Sequence, residues 1–511
     1  MTGSESIETE LKFEVAPSSL GSLVEHPAFK VPARTQRLRT VYFDTPRREL
    51  RAAGLALRIR QDEHGFVQTV KQAQGDRPFT RAEWERPVRG DRPDRKALAK
   101  TPAGDVLDGD VSSLQPVFSM VIDRTTRLWN DGVSVVELDL DEGEITAGAR
   151  REPVHEVELE LKTGEAEALF SLARDLAGTS DLRLNFESKA ARGYRLADDE
   201  RPAALMSSSP SLDGVANAAE AFRRIAWSCL AQVAVNSRRL GQSRSPEALH
   251  QARVGLRRLR AAFTAFKPML TDTDLPRMRA ESKWLAGELD AARDLDVFIR
   301  GAFRPAAAGI RDDDGLAAFG ERLLHAQDVA YDRAVAAAVS QRASTLLLDA
   351  AAWIDVGPWS RRDEPVQSAL REQPPDRFGR RSLGRLRRQV RKCGRNLERL
   401  DPKGRHRLRI RTKKLRYAAD FFATAFDGES DKAFRTFIAS LKALQKALGE
   451  LNDMANARRT ALSAIARAPA NLAIAAGEVV GHRRCTEQDQ LRAALRAFDA
   501  FADAPVFWDR A

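Results

Sequence analysis

The N-terminal part of the chain alternates between apolar and polar residues in short segments. The first segment is IETELKFEV, residues 7–15, in which charged residues alternate with Leu11, Phe13 and Val15. An alternation with a period of two predicts a half-buried β-strand. Similar segments follow, separated by turn-like stretches such as DEHG and NDG. The pattern predicts a mainly antiparallel sheet or barrel over residues 1–200.

The pattern changes to a helical periodicity beyond about residue 215. This part is rich in Ala, Leu and Arg, and strand signals nearly vanish, which predicts a bundle of helices. The Pro- and Ser-rich residues 201–214 predict a linker between the two parts. The expected fold class is therefore α+β, with a helical domain over residues 215–511.

The helical part contains an internal repeat. The segment HQARVGLRRLRAAFTAF at 250–266 is similar to HRLRIRTKKLRYAADFF at 406–422. A histidine and three cationic residues recur at identical offsets, namely His250, Arg253, Arg257 and Arg260 in the first copy and His406, Arg409, Lys413 and Arg416 in the second. The repeat predicts two pseudo-symmetric helical bundles, over about 215–345 and 380–505.

Each copy of the repeat predicts a basic stripe, because offsets of 0, 3, 7 and 10 share one face of a helix. A solvated face is the ordinary explanation for one basic helix. The duplication of both the histidine and the cationic positions favours a groove or channel lined by the two stripes.

Composition and charge narrow the class of protein. The 511 residues exceed one ordinary core and indicate two or three domains. The sequence shows no signal-peptide pattern, no long apolar run and no CxxC motif among its three cysteines, so we expect a cytoplasmic protein. Residues 1–200 carry a net charge of −7 and the remainder +18. The basic part therefore predicts a polyanionic partner, which is nucleic acid, anionic lipid or polyphosphate.

The charged faces of the predicted strands are sorted by sign. Some segments, such as EVELEL, are rich in carboxylates, and others, such as ALRIRQ, present arginines. A sheet with one face in water is the ordinary explanation of a charged face. If the sheet instead closes with this face inward, carboxylates would bind divalent cations, and Arg and Lys would bind a triphosphate.

These segments resemble the CYTH group, the triphosphate tunnel metalloenzymes. The ExExK signature stands in IETELK, and further segments follow in the family's order: LRTVYFDT (38–45), ALRIRQ (56–61), QTVK (68–71), VELDL (136–140), EVELEL (156–161) and FESKAARGY (186–194). The resemblance implies a closed eight-stranded antiparallel β tunnel with outer helices. It also implies hydrolysis of a triphosphate with Mg²⁺ or Mn²⁺.

The resemblance assigns roles to the charged residues of these segments. The implied catalytic residues are Glu8, Glu10 and Lys12. The implied metal ligands are Glu8, Glu10, Asp139, Glu158 and Glu160. The implied phosphate-binding residues are Lys12, Arg39, Arg58, Arg60, Lys71, Arg124, Arg127 and Lys189. Further candidates on the acidic side are Glu83, Glu85 and Glu156, the last of which shares its parity with Glu158 and Glu160.

Two pairs of residues leave alternatives open. Arg124 and Arg127 have opposite parity on a regular strand, so only one of them is expected to point into the tunnel. Asp44 and Thr45 of the YFDT segment have turn chemistry and suit a structural role equally well.

The repeat in the helical part resembles the CHAD domain, a helical module often attached to CYTH domains. HxxRvxxRRLR followed by RDLDV carries this resemblance, which covers roughly 215–505. It implies that the basic residues of both copies bind inorganic polyphosphate. Asp290 stands where the family usually has Gly, and Asn452 stands where Arg usually precedes Asp453. We expect Asp294 and Asp453 to orient Arg or His rather than to bind a metal.

The leading hypothesis is an inorganic triphosphatase that converts PPPi and water to PPi and Pi, with polyphosphate bound by the basic half. Within the enzyme class, the alternatives are thiamine triphosphate, a nucleoside triphosphate or cyclisation of ATP. Trp84 and Trp129 are the candidates for stacking on a base, although tryptophan is more often a core residue. Outside the enzyme class, the alternative is a non-catalytic polyphosphate-binding protein. Nucleic acid remains the alternative partner of the basic half.

Overall fold

The chain divides into two compact units in the computed structural model. The sheet unit comprises Met1–Ala204 and Ser344–Ala352, and the helical unit comprises Leu205–Ala343 and Trp353–Ala511. The structure describes residues 6–72, 80–309, 314–426, 432–465, 470–484 and 487–509. No helix within these ranges is long and apolar enough to cross a membrane.

Nine strands of the described residues form one antiparallel sheet. They are β1 (Ser6–Val15), β2 (Ala33–Asp44), β3 (Leu55–Asp62), β4 (Gly65–Gln72), β5 (Thr80–Val88), β6 (Gln115–Asn130), β7 (Val135–Ala147), β8 (Arg150–Thr163) and β9 (Leu182–Leu184). The spatial order is β5, β4, β3, β2, β6, β7, β8, β1, β9, and a further pairing joins β1 to β5. The α+β class and the antiparallel sheet are confirmed. The expectation of eight strands is wrong, because the short β9 pairs with the end of β1.

The alternation along the strands separates an apolar face from a charged face. In β1, Leu11, Phe13 and Val15 are buried on the apolar face, whereas Glu10 and Lys12 point to the other. The helices of this part are α1 (Leu20–Glu25), α2 (Glu49–Ala52), α3 (Arg95–Leu98), α4 (Pro102–Val106), α5 (Ala166–Thr179) and α6 (Lys189–Ala197). The helices α2 and α4 pack against the apolar core at β3, and α5 packs against β8 and β1.

The helix α6 lies on the charged face instead. It packs against β6, β7 and β8, and its Tyr194 joins an apolar cluster with Tyr42 and Phe118. Tyr42 pairs with Arg58 of β3, so this cluster shares a face with the charged residues. A Cβ atom on Gly193 would lie 2.0 Å from the Phe118 ring, so only glycine permits α6 to approach β6 this closely.

The chain is predominantly helical from Ala218 onward, which confirms the predicted all-helical part. The helices are α7 (Ala218–Ser243), α8 (Pro246–Ala265), α9 (Leu275–Glu288), α10 (Asp290–Phe298), α11 (Arg304–Ala307), α12 (Asp314–Ala338), α13 (Gln341–Val356), α14 (Pro365–Arg371), α15 (Pro375–Gly394), α16 (Pro402–Phe421), α17 (Lys432–Ala464), α18 (Ala470–Arg484) and α19 (Glu487–Asp503). The two helices that carry the repeat, α8 and α16, pack against each other. Phe266 and Phe422 occupy equivalent positions of the repeat, and their ring centroids are 5.2 Å apart. The two copies therefore meet in one core.

Residues 201–212 contain neither helix nor strand, but the helical unit holds part of this segment. The Asn236 side chain donates to Leu205 O at 2.9 Å and accepts from Leu205 N at 3.0 Å. The buried guanidinium of Arg258 donates to Ser208 O. The segment expected to act as a linker is therefore fixed to the helical unit from Leu205 onward.

Candidate functional site

Charged side chains from several strands and from α6 share one face of the sheet. Cross-strand partners lie on the same face, so the register assigns each charged residue to a side. The charged face carries Glu10, Lys12, Arg58, Arg60, Lys71, Glu83, Glu85, Arg124, Asp139, Asp141, Glu156, Glu158 and Glu160. Most of these side chains are buried or half-buried. They form the lining of a site rather than a solvated surface.

Glu158 is the centre of the first group of ion pairs. Its Oε1 lies 2.8 Å from Lys12 Nζ and 2.9 Å from Lys189 Nζ, and its Oε2 lies 2.8 Å from Arg124 Nη2. Burial alone would raise the pKa of Glu158, but the three cations outweigh burial and hold the pKa well below its ordinary value. Lys12 Nζ also lies 3.1 Å from Glu10 Oε1. Three cations are thus gathered around one ionised carboxylate.

Glu83 is the centre of a second group. Its Oε2 lies 2.6 Å from Lys71 Nζ, and its Oε1 lies 3.3 Å from Arg58 Nη2. Burial opposes ionisation, but Lys71 and Arg58 hold the pKa of Glu83 at about 2. Arg60 Nη2 lies 3.6 Å from Glu85 Oε1. Burial and the nearby Arg58 lower the pKa of Lys71, so a further negative charge would favour its protonated form.

Strand β6 distinguishes Arg124 from Arg127. Arg124 contacts two carboxylates of β7, with its Nη1 2.6 Å from Asp139 Oδ2 and its Nη2 2.6 Å from Asp141 Oδ2. Arg127 points to the other side, where its Nε donates to Phe29 O at 3.0 Å and its guanidinium lies 5.1 Å from the Phe29 ring. The structure therefore brings Arg124 to the charged face and separates Arg127 from it.

Arg39 is the second predicted phosphate-binding residue that the structure separates from this face. It is exposed, and it pairs with Gln61 of β3, whereas the adjacent Thr40 pairs with Arg60. Successive residues of a strand point to opposite faces. Arg39 therefore lies on the opposite side of the sheet from Arg60.

Asp139 differs from the neighbouring carboxylates. Burial raises the pKa of Asp139 to about 6, although the contact with Arg124 and a hydrogen bond from Thr126 Oγ1 at 2.5 Å favour its ionised form. Its carboxylate therefore takes up a proton at a higher pH than an ordinary aspartate does.

The three glutamates of β8 all lie on the charged face but have different partners. Glu156 Oε1 lies 2.7 Å from Arg192 Nη1, and Glu160 Oε1 lies 2.7 Å from Lys162 Nζ. Glu158 is the member that contacts Lys12 of β1. Glu158 is therefore central, and Glu156 and Glu160 flank it.

Asp141 and Arg192 are parts of the cluster that sequence analysis missed. Asp141 is fully buried, and its Oδ2 lies 2.9 Å from Lys189 Nζ. Arg192 is also buried. A signal existed for both residues, because Asp141 continues the alternation of Asp139 along β7, and Arg192 follows Lys189 by about one helical turn.

Asp44 has a structural role in the described contacts. Its carboxylate accepts hydrogen bonds from the backbone N–H groups of Thr45, Leu50 and Arg51 at 2.8, 3.0 and 3.0 Å. The bonds from Leu50 and Arg51 satisfy donors at the start of α2, and the bond from Thr45 lies directly after β2. Trp84 likewise belongs to the scaffold, because it packs against the apolar core on the other side of the sheet.

The carboxylate oxygens of the charged face have the donor chemistry of a site for a hard divalent cation. Glu10 and Glu158 each place an oxygen within 3.1 Å of one atom, Lys12 Nζ. The side chain of Glu8 lies outside the described residues. Among the described side chains, no group of three or more His, Cys, Asp and Glu is arranged to hold a metal ion.

The basic residues of the two repeat copies meet in the helical unit. Burial, together with Arg409, Arg257 and Arg253, lowers the pKa of Lys413 to about 7. Burial and Arg257 lower the pKa of Arg409 as well, against the opposing effect of Asp453. We call the four basic residues the inner cluster. Its members repel one another, so an anion bound among them would stabilise their charged forms.

Asp294 and Asp453, the equivalent aspartates of the two copies, lie near the inner cluster. Burial raises the pKa of Asp294, and Arg253 opposes this effect. Asp453 also raises the pKa of Asp294, because the two carboxylates are close and repel each other. Asp294 Oδ2 also lies 3.5 Å from Arg459 Nη2.

The two departures from the family pattern each contact a predicted basic residue. Asp290 forms an ion pair with Arg253. Asn452 Oδ1 lies 2.7 Å from His406 Nδ1. Both substitutions therefore add a polar contact to the side chains that the repeat brings together.

The remaining predicted basic residues have other surroundings. Burial lowers the pKa of His250 to about 4, so this imidazole is neutral at pH 7. Arg416 Nη1 lies 3.0 Å from Asp420 Oδ2. Burial and Arg260 lower the pKa of Lys414, which extends the region of crowded cations along α16.

The fold and the two sites define a two-part class of protein, in which an antiparallel sheet with a charge-paired face precedes a basic helical repeat. Comparison with known families agrees with both parts, since residues 6–194 match the CYTH domain and residues 224–462 match the CHAD domain. The chain therefore carries an N-terminal CYTH domain and a C-terminal CHAD domain.

Individual relatives support each part separately. The inorganic triphosphatase of Haemophilus influenzae is 31% identical over 199 residues, which cover 38% of this chain and 56% of that relative. The chain thus matches about half the length of this curated relative. The crystal structure of the CHAD domain from the plant Ricinus communis is 27% identical, with a TM-score of 0.50, and the match covers 60% of this chain and 99% of that one.

Proposed function

We propose that this protein hydrolyses inorganic triphosphate to PPi and Pi at the charged face of the sheet and binds inorganic polyphosphate through its helical part. The observation that carries the proposal is a set of buried or half-buried cations on that face, namely Lys12, Arg58, Arg60, Lys71, Arg124 and Lys189. Ammonium and guanidinium groups at this density suit a short, highly charged phosphate chain. In this proposal, residues 1–200 act on triphosphate, residues 201–214 connect the two parts, and residues 215–511 bind polyphosphate.

We infer further that the sheet closes into a tunnel around the charged face. The pairing of β1 with β5 supports closure, with Ser6 opposite Glu83 and Thr9 opposite Thr80. Because β1 also pairs with β8, this contact joins strands from distant positions of the sheet order. A closed sheet would keep bulk water from the ion pairs and strengthen their interaction with phosphate.

The chain's own residues would perform most of the reaction by positioning. Arg58 and Arg60 present guanidinium groups that suit bidentate contacts with phosphate oxygens, and Lys12 offers a compact charge. Glu83 holds Arg58 in place, and Glu158 holds Lys12, before the substrate arrives. The bound triphosphate would be aligned for attack by water on the terminal phosphoryl group, with its developing charge stabilised by fixed cations.

The carboxylates Glu10 and Glu158, together with Glu8, would hold Mg²⁺ or Mn²⁺. Asp139 and Glu160 stand beside this set as further candidates. A bound divalent cation neutralises phosphate oxygens and makes water a better nucleophile at neutral pH.

In the helical part, the inner cluster is the proposed polyphosphate site. Arg253 and Arg257 from one copy, and Arg409 and Lys413 from the other, offer four cations whose mutual repulsion a polyanion would relieve. Nucleic acid is the competing polyanion, because attraction by a basic surface is not selective. Competition between polyphosphate and RNA at one fixed salt concentration tests this choice, and preferential displacement by RNA would contradict it.

A phosphate-release assay with PPPi, ATP and thiamine triphosphate, each with Mg²⁺ and with Mn²⁺, tests the enzymatic proposal. We expect Pi release to be fastest from PPPi, because the charged face offers cations that suit phosphate groups. Trp84, the candidate for stacking on a base, packs in the scaffold rather than beside these cations. Faster turnover of ATP or thiamine triphosphate would overturn the substrate. If no substrate releases phosphate while polyphosphate still binds, the protein is a non-catalytic polyphosphate-binding protein.

A further inference from the structure

The helix α15 carries a row of arginines that the functions proposed above do not use. The row consists of Arg377, Arg381, Arg388 and Arg391 of α15 and of Arg395, the residue after its last turn, all of which are exposed. Their spacings of 4, 7, 3 and 4 residues place them along one side of the helix. At a rise of 1.5 Å per residue the row is about 27 Å long. We call it the outer row.

The side of α15 opposite to the outer row is fixed in the protein. Leu383, Leu386 and Val390 are buried, and α15 packs against α8 and α16. The helix therefore presents its arginines from a rigid position. Its apolar side is already used, so it has no apolar face to insert into a membrane.

The outer row lacks internal compensation for its charge. Within the described residues, no member of the row has a hydrogen bond or an ion pair. Two other exposed arginines of the helical unit are paired, since Arg333 Nε lies 2.5 Å from Glu288 Oε2 and Arg342 Nε lies 2.8 Å from Glu281 Oε2. Like charges three or four residues apart destabilise a helix. A polyanionic ligand would offset this repulsion.

We propose that the outer row is a second binding site for inorganic polyphosphate, distinct from the inner cluster; this proposal rests on the polyphosphate binding proposed above. A straight row of guanidinium groups suits a flexible linear chain of phosphates, which can follow it without a matching concave surface. The inner cluster is crowded and half-buried, whereas every arginine of the outer row is exposed. A long polyphosphate chain can therefore gain affinity from the outer row. A short chain can bind the outer row only as a separate site.

Nucleic acids fit the outer row less well. The phosphates of a DNA duplex wind around grooves about 12 and 6 Å wide, so a straight row of this length would place several arginines over a groove. Proteins that bind single strands add aromatic side chains for base stacking. The exposed side of α15, which lies entirely within the described residues, has no aromatic residue.

The test uses the full chain with Arg381→Gln, Arg388→Gln and Arg391→Gln combined. Titration calorimetry with a short polyphosphate should give one bound chain fewer per triple variant than per wild-type protein. With a long polyphosphate, the variant should lose at least tenfold in affinity. The slope of log affinity against log salt should fall by about two, because each lost phosphate contact contributes about 0.7 for a single-stranded polyanion.

Three controls keep the test specific. The combination of Arg333→Gln, Arg342→Gln and Arg492→Gln removes the same charge from arginines that already have carboxylate partners, and it should retain the wild-type number of sites. The Lys triple variant R381K/R388K/R391K should retain this number as well. Circular dichroism and thermal unfolding establish that each variant is folded.

The outcomes separate this inference from the proposed function. If the outer-row variant binds polyphosphate as the wild type does, the inference is wrong and the inner cluster accounts for binding. If the wild type binds no polyphosphate, the proposed function of the helical part fails with it. If the variant keeps its polyphosphate sites but loses binding to phosphatidylserine vesicles or to duplex DNA, the outer row serves that other partner and the inference is overturned.

Discussion

The charged face of the sheet unit and the inner cluster of the helical unit hold their cations in opposite ways. On the sheet, the cations have nearby carboxylates, as in the pairs of Lys12 with Glu158 and Lys71 with Glu83 at 2.8 and 2.6 Å. In the helical unit, Lys413 is surrounded mainly by other cations, and its pKa falls to about 7. The charged face is compensated before any ligand binds, whereas the inner cluster is compensated only in part, as by the ion pair of Arg253 with Asp290.

This difference indicates two kinds of ligand binding. Paired cations are fixed in place, which suits a reaction that depends on accurate positioning of a substrate. Crowded cations carry electrostatic repulsion that a polyanion removes, which suits tight but geometrically tolerant binding. Substitutions in the charged face and in the inner cluster test this difference.

The largest effect is expected from Glu10→Gln on the sheet. This change removes a carboxylate charge beside Lys12 and weakens the proposed metal site. Divalent cations contribute several kcal/mol to such reactions, so hydrolysis of PPPi should fall by about a thousandfold or more. Phosphate release at saturating PPPi and a range of Mg²⁺ concentrations measures the loss.

The matched control is Glu144→Gln, which changes a carboxylate of β7 that pairs with Arg151 at 2.8 Å. It should leave hydrolysis near the wild-type rate. Full activity in Glu10→Gln would show that the proposed metal ligands are misassigned.

The next largest effect is expected to distinguish residues on the two faces of the sheet. Arg58→Gln should lower kcat/KM for PPPi by about a hundredfold, the typical cost of one fixed donor to a developing charge. Arg39→Gln should have little effect, because Arg39 is exposed on the opposite face. Arg124→Gln and Arg127→Gln form a second matched pair on β6, with the large effect expected for Arg124.

Steady-state kinetics of these four variants would measure how well the register assigns side chains to the site. Equal losses for Arg39→Gln and Arg58→Gln would contradict the separation of the two faces. Equal losses of kcat/KM for Arg124→Gln and Arg127→Gln would contradict the separation of these two arginines on β6.

The sequence predicted the fold class and much of the charged face because alternation and family motifs are local signals. The residues of ExExK and ALRIRQ are on regular strands, so their parity carried over to the structure for Glu10, Lys12, Arg58 and Arg60. Arg39 was assigned by its motif without regard to parity, although the adjacent Thr40 is the residue that faces Arg60.

Other features depended on contacts that are distant in the sequence. The placement of α6 on the charged face depends on the close approach of Gly193 to Phe118, which no periodicity shows. The compensation of Glu158 likewise joins three cations from β1, β6 and α6. In the helical part, the repeat predicted equivalent residues, but only the packing of α8 on α16 shows that their side chains crowd together.

A smaller effect concerns the pH dependence of the inner cluster. Lys413 is charged below about pH 7 and neutral above it, and a polyanion binds the charged form. Affinity for polyphosphate should therefore fall as the pH rises from 6 to 8, by about tenfold for the loss of one charge-assisted contact. Binding should also take up a proton above pH 7, because the ligand raises the pKa of Lys413.

Lys413→Arg should flatten this dependence, since arginine keeps its charge over the whole range. Lys403→Arg changes an exposed lysine of the same helix and should retain the wild-type dependence. Calorimetry in buffers of different ionisation enthalpy measures both affinity and proton uptake. An unchanged pH profile in Lys413→Arg would assign the dependence to another group.

The smallest effect is expected from substitution of Asp44, a charged residue of the YFDT segment. This substitution tests whether Asp44 belongs to the scaffold. Asp44→Asn removes a buried negative charge that accepts three backbone hydrogen bonds, one from Thr45 and two from the start of α2. The sheet should lose about 1.5–3 kcal/mol of local stability, the range for hydrogen bonds to charged groups. Amide hydrogen exchange in β2 and β3 measures this loss.

Asp62→Asn is the control, because its carboxylate accepts from His64 N in an exposed turn at 2.7 Å. PPPi hydrolysis per folded molecule should be unchanged in both variants, since Asp44 faces backbone donors rather than the paired cations. A loss of hydrolysis in Asp44→Asn without faster exchange would place Asp44 in the reaction site and extend the compensated face to the end of β2.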